Sequence, residues 1–146
     1  MNLGLLGAAL AFTIASIGSG LGVGIVGCAT VGVWKKAYLA NKAASLLMVA
    51  FVGACLTNVF YGFILMGQIT TAALDPANAS KALYYLVLGA VAGVSLAIPA
   101  IVQGKIGAAA VDALCETGKG FSQYLTVIGI AETVALFTMV LAMISL

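Results

Sequence analysis

The stretch MNLGLLGAALAFTIASIGSGLGVGIVGCATVGVW (residues 1–34) contains no charged side chain. A transmembrane helix needs about 20 apolar residues to cross roughly 30 Å of hydrocarbon, and this stretch exceeds that length. A cleaved signal peptide is the alternative interpretation. The stretch lacks the charged beginning of such a peptide and is longer than its apolar region, so we predict a membrane span.

Further along the chain the same pattern recurs. Apolar stretches cover residues 43–74, 82–104 and 120–146, and the last of them has one charged residue, Glu132. The whole chain is 64% hydrophobic and 7% charged, a composition typical of membrane proteins. We therefore predict an all-α integral membrane protein of four transmembrane helices, built as two tandem helical hairpins, 1–74 and 81–146.

The lysines predict the orientation, because positive charges are retained on the cytoplasmic side of a membrane. Five of the six lysines lie at the two connections within the hairpins, and Lys81 lies at the opposite end. We expect loops 34–44 and 105–119 in the cytoplasm and both termini outside, in a multi-pass protein of a bacterial or archaeal cell membrane.

Glu132 is the candidate functional residue, since a carboxylate inside a membrane span is costly and rare unless it has a function. If residues 117–118 form the turn of the second hairpin, Gln103 mirrors Glu132 across it. Lys105 lies about 200° around the helix from Gln103 and so points away. A structural ion pair between Lys105 and Glu132 remains the alternative.

The second span contributes a polar face toward this glutamate. Spacings of three and four residues place its members on one side of a helix: Ala54, Thr57, Asn58 and Tyr61. Carboxylate, amide and hydroxyl oxygens suit Na⁺, and the same groups can instead hydrogen-bond a protonated Glu132. Interhelical hydrogen bonds that only hold the helices together are the structural alternative.

The order and spacing of four strings carry a family resemblance: the glycine-rich first span, LTNVFYGF (56–63), IVQGKIGAAA (101–110) and IAETVALF (130–137). Together they resemble the proteolipid subunit, called K or c, of V-type and A-type rotary ATPases. The resemblance implies a homo-oligomeric rotor ring that carries Na⁺ or H⁺ across the membrane as it turns.

The resemblance also makes Glu132 the ion-carrying carboxylate. Its neighbours would be residues that coordinate a metal ion (Gln103, Thr57, Asn58), a tyrosine that holds the carboxylate (Tyr61) and a backbone oxygen (Ala54). Asn58 departs from the glutamine of sodium-binding relatives, so its shorter side chain leaves room for a water or favours a proton.

The resemblance also implies partners. Identical subunits would form the ring in the lipid bilayer, a stator membrane subunit would supply an arginine, and central-stalk subunits would contact the cytoplasmic loops. The chain has no arginine, no histidine and no phosphate loop of the G-K-[ST] type, so we expect no catalytic residues, with ATP chemistry on partner subunits. We expect no cofactor and no nucleic-acid partner. Ring stoichiometry and the direction of ATP chemistry are left open.

Glycines are expected to bring helices close together, as small residues do in membranes. The predicted packing positions are Gly18, Gly20, Gly22, Gly24, Gly89 and Gly93. The pattern G-x-G-x-x-G at 22–27 also fits a dinucleotide-binding loop, but no strand precedes it, so we interpret it as helix packing. A small four-helix cation or drug exporter that uses Glu132 is the alternative function.

Overall fold

The computed structural model describes residues 2–146, so Met1, with which the first predicted span and hairpin begin, lies outside the described residues. All regular elements within 2–146 are helical. The α-helices are α1 (Leu3–Leu39), α2 (Val49–Ala54), α3 (Thr57–Leu74), α4 (Ala82–Thr117) and α5 (Phe121–Ile144). Short 3-10 helices, Leu46–Met48 and Pro76–Lys81, precede α2 and α4.

Four helical stretches in this range are long and apolar enough to cross a membrane: Leu3–Leu39, Leu46–Leu74, Pro76–Thr117 and Phe121–Ile144. The prediction of an all-α membrane protein with four spans is thereby confirmed. The second span differs from the others because it consists of two helices, α2 and α3, separated by Cys55 and Leu56.

The connections are shorter than predicted. Loops 34–44 and 105–119 are wrong in extent, because α1 continues to Leu39 and α4 continues to Thr117. Lysine and glutamate are good helix formers, so charges that mark the end of the apolar segment do not end the helix. The turns themselves use backbone with positive φ, at Asn41 (53°), Gly118 (65°) and Gly120 (90°).

The closest helix contact joins the two predicted hairpins. A side chain at Gly7, Gly18 or Gly22 on α1 would collide with the backbone of α4, and one at Gly89 or Gly104 would collide with the backbone of α1. The contact between α1 and α4 is also more extensive than that between α1 and α3. Glycine at these positions therefore lets two long helices pack backbone to backbone.

Three large aromatic side chains face outward from α3 and α5. Phe60 and Phe63 on α3 and Phe137 on α5 are more than half exposed in the single chain. Exposed apolar side chains of this size are stable against lipid or another apolar protein surface. The small residues thus gather where α1 meets α4, and these three phenylalanines face outward from α3 and α5.

The lysine-rich connections share one end of the molecule. The end of α1, the 40–45 connection and the end of α4 line one pocket, which includes Lys36, Lys42 and Cys115. Residues from the beginning of α1, the end of α3 and the beginning of α4 line a pocket at the other end, among them Asn2, Ala73 and Ala82. The fold therefore separates a lysine-rich end from the end that carries Asp75 and Lys81.

Candidate ion-binding site

Glu132 on α5 meets the second span through a tyrosine. The Tyr61 hydroxyl on α3 donates a hydrogen bond of 2.7 Å to Glu132 Oε1. Both side chains are half-buried in the single chain. The hydrogen bond satisfies one oxygen of a carboxylate that otherwise lies among apolar side chains, and it fixes the orientation of the group.

A second polar contact lies one helical turn away. The Asn58 Nδ2 group donates a hydrogen bond of 2.9 Å to Gln103 Oε1, and both side chains are fully buried. Gln103 Nε2 in turn lies 3.4 Å from the Ile128 carbonyl oxygen, to which it donates. Gln103 on α4 therefore links α3 to α5, although the side chain reaches Ile128 rather than the mirror residue Glu132.

The break in the second span lies beside Thr57 and Ala54. The Thr57 hydroxyl donates a hydrogen bond of 3.0 Å to the Ala54 carbonyl oxygen. Around the break, the Leu56 amide bonds the Gly53 carbonyl at 3.0 Å and the Val59 amide bonds the Leu56 carbonyl at 3.1 Å. These i to i+3 bonds tighten the chain, and a hydroxyl bonded to a nearby carbonyl often accompanies such a distortion.

The break was not predicted, because the residues around it are apolar or small and none of them is a proline. Thr57, with a preference for bonding local carbonyls, is the one signal in the sequence. The consequence for the site is direct. The Ala54 carbonyl oxygen already accepts one hydrogen bond and retains a second lone pair for an ion.

One acceptor in the site lacks a partner. Asn58 Oδ1 is buried and makes no hydrogen bond within residues 2–146. Burying a polar atom without a partner costs free energy, so native proteins rarely leave one unsatisfied without a reason. An amide oxygen in this situation is a natural ligand for a cation or an acceptor for a bound water.

The structure therefore brings the predicted residues together in two pairs, Tyr61 with Glu132 and Asn58 with Gln103, while Thr57 bonds Ala54. Lys105 is exposed, whereas Gln103 is fully buried, as opposite faces of one helix require. Carboxylate, amide, hydroxyl and carbonyl oxygens are the ligands that hard cations prefer. The same oxygens are able to hydrogen-bond a protonated carboxyl group.

The predicted packing glycines divide into two sets. Gly18, Gly22, Gly89 and Gly93 lie at the contact between α1 and α4. Gly20 and Gly24 instead have open space on the side where a Cβ atom would lie. A packing function for these two positions stays a prediction that involves a surface outside this chain.

Comparisons with known proteins bear on the second half of the chain. A search of curated proteins finds no match. The family model for the C subunit of ATP synthase matches residues 86–145, less than half of the chain, and this segment contains Gln103, Glu132 and nearly all of α4 and α5. The helical hairpin that carries the candidate ion-binding glutamate is thus similar to the C subunit of ATP synthase.

Proposed function

We propose that the chain is a rotor-ring subunit of a V-type or A-type ATPase, and that it carries Na⁺ across the membrane by reversible binding at Glu132. The observation that supports this most is the hydrogen bond from Tyr61 to Glu132, within a segment similar to the C subunit of ATP synthase. A membrane glutamate held by a neighbouring helix is suited to closing over a bound ion. Protons are the alternative cargo.

The site contains more oxygen atoms than a bound proton requires, and this favours sodium as the cargo. A proton carrier requires the carboxyl group and one hydrogen-bond partner, which Tyr61 already supplies. Asn58 Oδ1 is nevertheless buried without a partner, and the Gln103 and Thr57 oxygens lie on the elements around it. A buried amide oxygen without a donor, beside other oxygens, is expected where a desolvated cation binds.

Electrostatics supports the rotary mechanism. An ionised Glu132 in hydrocarbon is costly, so the carboxylate travels with its charge neutralised by Na⁺ or H⁺. Release requires water and a competing positive charge. Because the chain contains no arginine, we propose that a stator membrane subunit supplies one.

Orientation and partners follow from the lysine-rich end. We propose that the 40–45 and 118–120 connections face the cytoplasm, where four nearby lysines (Lys35, Lys36, Lys42 and Lys119) favour retention and offer a surface to central-stalk subunits. One carboxylate in four spans gives half as many ions per helix as a proteolipid of two helices provides. That ratio suits a pump driven by ATP, in a bacterial or archaeal membrane.

The experiment that tests the function is labelling with a hydrophobic carbodiimide, which reacts with protonated carboxyl groups in membranes. We expect mass spectrometry to find the label on Glu132, and millimolar Na⁺ to slow its attachment by filling the site. Glu132→Gln should lose the label and all ion transport, whereas Glu116→Gln, at the exposed end of α4, should retain both.

Each outcome has a separate meaning. Labelling of Glu132 at a rate independent of Na⁺ would indicate that the chain carries protons rather than sodium. Transport that persists in Glu132→Gln would overturn the assignment of the glutamate itself.

A further inference from the structure

Ser19 on α1 is a buried hydroxyl group without a partner. The residue is 1% exposed, and its Oγ atom makes no hydrogen bond within residues 2–146. Serine and threonine in apolar helices usually donate to the carbonyl four residues earlier. Thr30 and Ser16 on the same helix do so, each at 2.8 Å, with Val26 and Phe12 as acceptors.

Helix register places Ser19 opposite Asn58. A Cβ atom at Gly62 would contact Ala15 Cβ at 2.8 Å, and one at Gly22 would contact Cys55 Cβ at 3.3 Å. These contacts show that α1 runs antiparallel to the second span. A residue further along α1 therefore faces a residue earlier in the second span. Between these two pairs of facing residues, the same register pairs Ser19 with Asn58.

The two residues that face each other have complementary needs. The Asn58 Nδ2 group already donates to Gln103, while Asn58 Oδ1 is buried without a donor. The Ser19 hydroxyl supplies one donor and is buried without an acceptor. Two unsatisfied groups of opposite kind, at one depth of an otherwise apolar contact and not bonded to each other, are expected to share a buried water.

We propose that Ser19 is a positioning residue of the ion site. Its hydroxyl donates to one buried water that in turn donates to Asn58 Oδ1, and so holds the short asparagine side chain in the orientation that serves the ion. The inference rests on the proposed function and extends it to α1, which contributes nothing to the site otherwise.

The test measures the Na⁺ concentration that half-protects Glu132 from carbodiimide labelling. We expect Ser19→Ala to raise this concentration about fivefold, the effect of losing one net hydrogen bond. Ser16→Ala is the matched control, because its hydroxyl bonds within its own helix, and it should match the unmodified protein. A Ser19→Ala value equal to that of Ser16→Ala overturns the proposal.

A double-mutant cycle separates positioning from packing. In an Asn58→Ala background, Ser19→Ala should leave the half-protecting concentration unchanged, because the group that it positions is gone. An equal fivefold effect in both backgrounds would overturn the link to Asn58. If Ser19→Ala does not assemble, Ser19→Cys retains the volume with a much weaker donor and replaces it in the cycle.

Failure of the proposed function is recognised separately, in the unmodified protein. If Na⁺ gives no protection there, the quantity compared among the variants is the pH at which labelling is half-maximal. Ser19→Ala should shift this pH, and Ser16→Ala should not. If Glu132 is not labelled at all, the proposed function is contradicted. The link between Ser19 and Asn58 is then judged by the same cycle on thermal unfolding, and additive effects overturn it.

Discussion

Tyr61 allows the contribution of one hydrogen bond at Glu132 to be measured. Its hydroxyl holds Glu132 Oε1 at 2.7 Å, so Tyr61→Phe removes that bond with little change in volume. We expect the Na⁺ concentration that half-protects Glu132 from labelling to rise about tenfold, since bonds to charged groups are stronger than neutral ones. Labelling kinetics at graded Na⁺ concentrations provide the measurement.

A tyrosine outside the site serves as the control for this prediction. The Tyr84 hydroxyl donates to the Ser145 carbonyl oxygen at 2.8 Å, at the other end of the second hairpin. Tyr84→Phe therefore removes a comparable bond without touching the glutamate. Equal half-protecting concentrations for the two variants would contradict the function that we assign to Tyr61.

The amide pair at Asn58 and Gln103 predicts a stability effect at the residue scale. Gln103→Met keeps a similar shape but leaves Asn58 Nδ2 buried without an acceptor, which we expect to cost about 1–3 kcal/mol of unfolding free energy. Adding Asn58→Leu removes the stranded group and should restore much of the loss, while ion protection of Glu132 stays impaired. Thermal unfolding in detergent and labelling measure the two effects.

This prediction separates stability from ion binding. A double variant that regains stability and also binds Na⁺ normally would show that the amides serve only to hold α3 against α4. A single variant with unchanged stability would contradict the cost assigned to the buried amide.

At the scale of the helices, the sequence predicts which segments cross the membrane but not where they end. Uncharged stretches are long enough to identify four spans. The ends shift because Lys35 and Glu116 continue their helices, and the interruption at Cys55 and Leu56 follows from local hydrogen bonds that no periodicity reveals.

The sequence is also inaccurate about which residues of neighbouring helices lie at the same depth in the membrane. Reflection through the turn at 117–118 places Gln103 opposite Glu132, whereas the structure places the Gln103 amide near the Ile128 carbonyl, about one turn away. Pairing residues at equal distances from the turn assumes two straight helices of equal pitch joined by a symmetric turn. The residue types of the site are therefore predictable from spacing, and the contacts among them depend on how the helices slide and tilt.

The contact between α1 and α4 gives an element-scale prediction. Gly22→Ala would place a Cβ atom against the Ala100 backbone, so the helices must separate. We expect a loss of about 1–3 kcal/mol and a lower unfolding temperature in detergent, the usual effect of overpacking. Gly67→Ala adds the same methyl group to open space on α3 and should leave the unfolding temperature unchanged or slightly higher. A Gly22→Ala protein as stable as Gly67→Ala would contradict the close packing.

At the scale of the whole molecule, the face of α1 that carries Gly20 and Gly24 is not covered by another helix within the described residues 2–146. Gly20 and Gly24 face open space, and Ile17 and Leu21 beside them are more than half exposed. Because Gly18 and Gly22 already bring α4 to the neighbouring face of α1, the free face is suited to receive a helix in the same close manner. In the proposed ring that helix belongs to the next identical protomer.

The ring therefore predicts how the chain behaves when extracted from membranes. We expect a large homo-oligomer in mild detergent, measured as a mass by analytical ultracentrifugation or native mass spectrometry. Gly24→Phe should shift the population toward smaller species while the helix content of each protomer is retained, because the added ring obstructs only the free face of α1. Gly24→Ala should have a smaller effect in the same direction, as a steric cause requires. A stable monomer in the unmodified protein would instead favour a small exporter, and an oligomer unaffected by Gly24→Phe would place the contact between protomers on the bulky faces of α3 and α5.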